Sequence, residues 1–564
     1  MIDVAIIGGG PAGSTAGSLL KKYAPNLQVS IFEKEVFPRD HVGESQLPPI
    51  SKILDEMGCW DKVEAANFPI KIGATYRWGS SPNLWDFEFL PLSTFKDEAR
   101  PAKYAGQRLQ TAFQVDRARY DEILLDHAEE TGCEVHRETS VSKVHCDGDK
   151  VTSLILQDGS RIEARHYIDA SGNAAILRKA MGVKITEPAA LKNIAIWAYW
   201  DNADWAVEIG VGGTRVQVMS IGTGWIWFIP LSPTRTSIGF ICPAEHYKSS
   251  GKTTEELYLE ALPQDARIQG LITNARMEGA ISATKDWSFL SERMVGKNWF
   301  LAGESGGFAD PILAAGMTLA HAGAREAAYI ILEIERDELD SEWLKHNFEQ
   351  TQKRRIGQHI RFADFWYASN GQFSDLEEHT AKIARDAGLN LSPRQAFQWL
   401  GTGGFTNDVT GQAGIGGLDL AGVKQVATRF GGEELPWEIS RYNEFKLYLN
   451  ASVEDFVPVF SDGSIRQHAC FIRRGKVLLN TGIFALVIAV LRQSRDLKDI
   501  LNALQNYFKQ NKVFATPQLG LQQALQALEV MVAEGWVKGK LDKKKPRINV
   551  STPFEGDLIH SHVD

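Results

Sequence analysis

Cysteine is scarce and scattered. The chain of 564 residues has five, Cys59, Cys133, Cys146, Cys242 and Cys470, and no two form a CxxC pair. An odd, dispersed set argues against a disulfide scaffold and a cysteine-rich metal site, and it points to a reducing, cytoplasmic setting. Long apolar runs are also missing. The most apolar stretch beyond the N-terminus, Ile483 to Leu491, has nine residues, too few to cross a bilayer as a helix. No basic leader precedes the opening MIDVAIIGGGPAG, which runs straight into a glycine pattern that must stay folded, so it does not read as a signal peptide. Basic excess is absent: 61 Lys and Arg face 70 Asp and Glu, a formal charge of −9, with no general attraction to nucleic acid or to an anionic membrane. The thirteen histidines show no HExxH spacing, and the one HxH, His560 with His562, falls in an exposed-looking tail, so no metal is expected.

What is present suits a large globular protein. Hydrophobic residues make up 44% and charged residues 23%, in a chain long enough for two or three cores. The opening reads as a βαβ unit. Val4 to Ile7 is a short β-branched run, Ala12 to Lys22 carries helix formers, and Pro25–Asn26 breaks that helix before the strand at Val29–Phe32. Helices are expected near Ser51–Met57 and Arg119–Glu130, and a β-meander over Val141–Ile168 with turns at CDGDK and QDGSR. A broad, mostly antiparallel sheet is expected over about 191–284, interrupted by a helix at Thr253–Leu262. Phe300–Gly303 reads as a strand returning to the first domain, followed by a long helix over Met317–Ile334. Beyond Arg355 the chain is rich in aromatics on helical patterns, then Gly-rich over Gly401–Gly417. A last helix is expected at Gln518–Glu534 and a short strand at Arg547–Val550, within a small module at 515–555.

Gly8-Gly9-Gly10-Pro11-Ala12-Gly13 satisfies GxGxxG between strand and helix. Gly8 permits the tight turn, Gly10 lets backbone approach a pyrophosphate, and Gly13 lets helix and strand pack closely, with the helix N-terminus facing the phosphates. Glu33 ends the next strand, twenty residues after Gly13, where a carboxylate serves a ribose and favours FAD or NAD over NADP. Gly303-Glu304-Ser305-Gly306-Gly307 also satisfies GxSxG. It falls on the strand returning to a dinucleotide fold, which argues against a hydrolase elbow.

Three further segments resemble FAD enzymes with the hydroxybenzoate-hydroxylase or geranylgeranyl-reductase layout: Gln114 to Asp121 with Arg117, Tyr167 to Gly172 with Asp169, and Leu301 to Ser305 with Gly303 and Glu304, backed by Asp310-Pro311. Two more narrow the resemblance to flavin-dependent halogenases. Gly224-Trp225-Ile226-Trp227-Phe228-Ile229-Pro230 is similar to their WxWxIP signature. Phe37-Pro38-Arg39-Asp40-His41-Val42-Gly43-Glu44-Ser45, followed by Lys71 in FPIKIGATYRWG, resembles the branch acting on phenols, pyrroles and carrier-tethered substrates. Asp310 to Gly316 resembles the halide-proximal turn, although Ala314 and Ala315 stand where hydroxyl residues are common, and Glu304 stands where Asp is usual.

The resemblance implies an α/β fold. A Rossmann-like FAD-binding core is expected over 1–345, with the sheet of 191–284 inserted on the substrate side, and a largely helical region over 346–564 covering the substrate site. It implies FAD as FADH₂, chloride or bromide, and a separate NAD(P)H-dependent flavin reductase, since no second GxGxxG lies between a strand and a helix. The substrate is then an electron-rich aromatic, free or on a carrier protein. The cofactor residues are Gly8, Gly10, Gly13, Glu33, Arg117, Asp169, Asp286, Gly303, Glu304 and Asp310, with halide at Ala315 and Gly316. Asp286 sits in a segment that in some relatives bonds covalently to the flavin. Lys71 directs hypohalous acid as an ammonium or as a haloamine, Trp225 and Trp227 hold substrate away from the flavin, and Glu44 is an acid-base candidate. The rival readings are an aromatic monooxygenase or reductase of the same fold, and a non-catalytic flavoprotein scaffold.

Overall fold

The computed structural model describes residues 2–78, 83–89, 92, 95–96, 98–188, 191–367, 437–474, 476–511, 517–545 and 559–561. The chain forms two compact units: residues 1–364 with 460–465 and 561–564, and residues 365–459 with 466–560. The helix Ser341–Tyr367 runs unbroken through the boundary expected at residue 345.

The first unit is built on a parallel sheet in the order Trp299–Leu301, Ala164–Asp169, Ile2–Ile7, Val29–Phe32, Glu134–His136. Val4, Ala5, Ile6 and Ile31 are fully buried, as strands covered on both faces require. Helix Pro11–Tyr23 follows the first strand; proline at its first position donates no N–H where none has a partner. The meander of 141–162 forms its own three-stranded sheet, with turns at Gly148 and Gly159, both at positive φ. Helices Pro49–Met57 and Arg117–Glu130 fall where the pattern puts them.

The inserted sheet runs Arg276–Trp287, Lys192–Asp201, Arg235–Pro243, Gly224–Pro230, Gly213–Ile221, Ile70–Arg77, Trp85–Glu88. All neighbours in that order are antiparallel except Gly213–Ile221 with Ile70–Arg77, which is parallel. One face is apolar: Ile226, Phe228, Ile238, Phe240 and Ile196 pack with Leu257, Tyr258 and Ala261 of helix Thr254–Ala261. Burying each of the larger side chains contributes about 1.5–3 kcal/mol. Period-two alternation sends Trp225, Trp227, Ser237 and Tyr199 to the opposite face.

In the second unit, helices Gly482–Gln493, Leu497–Gln510 and Pro517–Ala533 enclose a core that includes Phe445, Leu491, Ile500, Leu528 and Trp536. Strands accompany these helices: Glu444–Leu447 pairs with Val537–Lys540, and Val453–Ser461, Ser464–Arg473 and Lys476–Leu479 form a meander. Its first turn, Asp462–Gly463, lies in the 460–465 segment that belongs to the first unit; both residues are at positive φ, a hairpin signal the aromatic-rich helical reading passes over. The Gly401–Gly417 stretch, the strand expected at Arg547–Val550 and His562 lie outside the described residues. No helix among the described residues is long and apolar enough to cross a membrane.

Candidate active site

The glycine turn behaves as its spacing implies. Gly8 has φ +103, and a Cβ there would lie 2.4 Å from the Ala170 carbonyl oxygen; one at Gly13 would lie 1.9 Å from the Gly8 oxygen. Any side chain at either position breaks the turn. Gly10 differs: the nearest atom to its Cβ position is Arg39 Nη2 at 3.7 Å, so the space in front of the helix start is open and faced by a guanidinium. Arg39 stacks on Phe37 and lies 3.3 Å from Asp121. The sequence pattern assigns it no role, although an arginine beside a glycine-rich helix start is a phosphate partner by chemistry.

The acids differ in what they hold. Glu33 accepts the N–H groups of Gly9 (2.7 Å) and Glu35 (2.8 Å), so part of its capacity holds the glycine turn itself. Asp169 is fully buried, and burial raises its pKa. Its oxygens accept from Ser171, from the Leu177 N–H at 2.7 Å and from the Arg178 N–H. Asp169 therefore ties Ser171 to the start of helix Ile176–Ala180. Asp310 likewise caps its own turn through the Ile312 N–H, with Asn193 at 3.5 Å. Glu304 is different again. Its carboxyl has no hydrogen-bond partner among the described residues, Gly172 stands beside it, and its pKa is raised by burial against the opposing charge of Arg117. Gly303, at φ +66, lets this strand end meet Ala12 and Ala320 at once. Asp286 pairs in the backbone with Asn193; its side chain lies outside the described residues.

Arg117 is a staple. It forms a two-point ion pair with Asp121 (2.7 and 2.8 Å) and donates to the carbonyls of Val42 (3.0 Å) and Gly43 (3.1 Å), fixing the loop that carries Glu44. Glu44 is almost wholly buried, accepting from the Gly43 N–H (3.1 Å) and the Tyr199 hydroxyl (3.3 Å). Burial lifts its pKa to about 7 despite the nearby charge of Arg117. Glu44 is thus a carboxyl able to hold or release a proton near neutrality.

Lys71 reaches the site through an irregularity. Along Gly213–Ile221, Thr214 faces Lys71 and Arg215 faces Gly73, so Ile72 is an extra residue. This bulge turns Lys71 onto the face of Thr214, and hence of Val218 and Trp227, where plain alternation would put it on the opposite face. Gly73 is forced by the neighbouring strand, since a Cβ there would lie 2.0 Å from the Phe87 oxygen. The Lys71 ammonium lies 5.5 Å from the Phe89 ring centroid and meets no carboxylate among the described residues. Burial alone lowers its pKa to about 7. The segment around Ala112–Phe113 joins the two groups: Ala112 pairs with Lys71, the Gln46 N–H donates to the Phe113 carbonyl, and the Val115 N–H donates to the Glu44 carbonyl.

Trp225 and Trp227 are 2% and 5% exposed, with ring centroids 6.1 Å apart, and Trp225 also meets Trp78 edge-on. The Trp227 indole covers Gly239 and donates its N–H to Ser237 at 3.1 Å. Helix Gly316–Arg336 begins after Ala314, which is held at φ +53, with Ala315 as its cap. The first N–H groups of a helix have no partner within it and carry partial positive charge.

A Rossmann-type sheet with an inserted, mostly antiparallel sheet, one face of which bears two indoles and a buried lysine and meets the loop carboxyl of Glu44, is the architecture of a flavoprotein oxidoreductase. The open space at Gly10 and the unpartnered Glu304 carboxyl fit FAD. The model of the tryptophan halogenase family matches residues 3–100 and 92–375, and the chain belongs to this family of flavin-dependent halogenases. It is 34% identical over 350 residues to a tryptophan 2-halogenase of Chondromyces crocatus, covering 60% of this chain and 62% of the relative's length. It is 30% identical over 386 residues to a 1H-pyrrole-2-carbonyl-[peptidyl-carrier protein] chlorinase of Pseudomonas fluorescens, covering 66% of this chain and 85% of that one. The structure of the flavin-dependent halogenase CmlS has the same fold, with a TM-score of 0.72 at 23% identity and 97% coverage of both chains.

Proposed function

We propose that the chain halogenates an electron-rich aromatic, a phenol, pyrrole or indole, with chloride or bromide, free in solution or carried on a protein as for the pyrrole relative. The observation that supports this most is the shared sheet face: Trp225 and Trp227 line it, and the bulge at Ile72 brings Lys71 to the same side. FAD is the cofactor, held by Gly8, Gly10, Gly13, Glu33, Arg39, Arg117, Gly303 and Glu304; reduced by a separate NAD(P)H-dependent reductase, it supplies hypohalous acid from O₂ and halide. The N–H groups of Ala315 and Gly316, at the start of a 21-residue helix, suit the halide. The five cysteines are free thiols, four of them buried, which supports the cytoplasmic reading.

Each residue then has a task. Making neutral hypohalous acid from a halide anion consumes one proton, and Glu44 is suited to deliver it near pH 7. The two indoles keep the aromatic substrate from the oxygen chemistry, so the oxidant meets it near Lys71. There the ring carbon takes the halogen, the O–X bond breaks, and the hydroxide leaves as water with a proton from the Lys71 ammonium. The ring proton then restores that ammonium, and the sum is ArH + HOX giving ArX + H₂O. A pKa of about 7 also leaves a comparable share of Lys71 as free amine, the form a haloamine route requires. The test is incubation with FADH₂, O₂ and mixed chloride and bromide over free and carrier-bound aromatics, scored by isotope pattern. Halogenated product is expected; hydroxylated product independent of halide would overturn the assignment.

A further inference from the structure

A carboxylate inside a protein takes its proton affinity from the donors aimed at it. Two hydrogen-bond donors meet the Glu44 carboxyl, the Gly43 N–H at 3.1 Å and the Tyr199 hydroxyl at 3.3 Å, and the buried Ser237 hydroxyl acts on it to lower its pKa. Tyr199 and Ser237 are direct neighbours across the strand pair Lys192–Asp201 and Arg235–Pro243, on the same face as Trp227. Ser237 is fully buried. Its oxygen receives the indole N–H of Trp227 at 3.1 Å. An indole N–H only donates, so it occupies one lone pair of Ser237 and leaves the single Ser237 proton free to turn to the carboxyl. Tyr199 is held from its other side by Arg235, whose guanidinium lies 4.0 Å from the ring centroid and is itself fixed by Asp116 (2.7 Å) and Asp40 (3.1 Å).

We infer that Ser237 and Tyr199 are positioning residues that orient and tune the Glu44 carboxyl, and that the indole N–H of Trp227 sets the direction of the Ser237 hydroxyl. Trp227 is then more than a screen. It joins the wall between the two reaction chambers to the group that supplies the proton. The link to turnover rests on the halogenase reading; the hydrogen-bonded chain itself does not. The other charges around Glu44 are Arg117, from helix Arg117–Glu130, with Asp121, Glu304 and His41 about it, and Asp40 with Arg235 acting through Tyr199. None of these is altered by substitution at Ser237.

The test uses FAD-loaded protein with ¹⁵N-labelled tryptophan, the Trp227 indole resonance being assigned by its loss in Trp227→Phe. In the wild type that resonance should move with pH around a midpoint near 7, and it should stand still in Glu44→Gln. In Tyr199→Phe the midpoint should rise by about half to one pH unit, because a donor to the charged form is lost. In Ser237→Ala the resonance should stop following pH, and Ser237→Thr should restore the response. In turnover with excess halide, Glu44 acts as an acid, so rate falls as pH rises through its pKa; this limb should move upward in Ser237→Ala and Tyr199→Phe. A flat wild-type resonance, or an unchanged response in folded Ser237→Ala, overturns the inference. The magnetic resonance arm needs no halide and no turnover, so an inactive protein with intact titration would strike at the halogenase reading and leave the chain standing.

Discussion

The Trp227 indole occupies the space that a side chain at Gly239 would need: a Cβ there would lie 2.1 Å from Trp227 Cζ2. The two residues face each other in the register of adjacent strands. Because the indole lies flat on bare backbone, its N–H reaches Ser237, and its ring remains on the side of the sheet that carries Glu44 and Lys71. A residue with no side chain is therefore part of the site.

Gly239→Ala should displace that indole. The overpacking should cost about 1–3 kcal/mol of stability, and the Trp227 to Ser237 hydrogen bond should be lost with it. Thermal unfolding measures the first effect; the Trp227 indole resonance and product yield measure the second. A variant with wild-type melting and wild-type yield would show that the contact has no importance.

Lys71 gives a stability prediction with a definite sign. Its folded pKa is lowered to about 7 from an ordinary value of 10.5, so the unfolded chain binds more protons between those values. Stability should therefore rise with pH from 7 to 10.5, by at most about 1.4 kcal/mol per pH unit, and the full penalty should be present below pH 7. Lys71→Met should abolish halogenation, raise the melting temperature at pH 6 and remove this rise with pH. Denaturant titrations across the pH range test it: an equal slope in Lys71→Met would assign the pH dependence to other groups.

The glycine turn separates fold from ligand. Gly13→Ala forces a Cβ to within 1.9 Å of the Gly8 oxygen and should destabilise the protein by several kcal/mol or prevent its folding. Gly10→Val enters open space, so the protein should fold with near wild-type melting and bind FAD at least tenfold more weakly, as read by fluorescence titration. Equal FAD affinity in folded Gly10→Val would remove Gly10 from the phosphate site.

How far the sequence alone reaches is visible in particular residues. The Gly8–Gly13 turn, the helix after Ala315 and the indole strand are local patterns, and each forms where its period and its glycines dictate. Lys71 is legible only through family resemblance, because a bulge is a property of two strands in register, and plain alternation along Ile70–Arg77 puts the lysine on the wrong face. Asp169 shows a related limit. A carboxylate at a strand end reads as a ligand, and only the folded chain brings the N–H groups of Leu177 and Arg178 onto it. Ser237 and Tyr199 give no sequence signal at all. Their pairing opposite Trp227 and Glu44 exists only once four separate segments are assembled. The Asp462–Gly463 hairpin was readable and is outweighed in the pattern by its aromatic-rich surroundings.

The final prediction separates the two contributions of the indoles. Trp225 touches Trp78 and Trp227 through ring contacts, and Trp227 donates its indole N–H to Ser237. Trp225→Phe should keep the pH profile and loosen only the wall, raising release of peroxide or hypohalous acid modestly. Trp227→Phe should keep most of the fold and some halogenation, but move the alkaline limb of the rate profile upward as Ser237→Ala does. Replacing both by Leu should leave a cavity costing about 3–5 kcal/mol, so folding has to be checked by thermal melting first. In the folded double variant the chamber is less enclosed, and released oxidant should exceed the sum seen in the single variants. The assay follows halogenated product, hydroxylated product and free oxidant together, with halide in excess. Wild-type coupling in the double variant would show that the two rings are sheet packing and not a wall, and identical pH profiles in the two single variants would show that Trp227 acts by bulk alone.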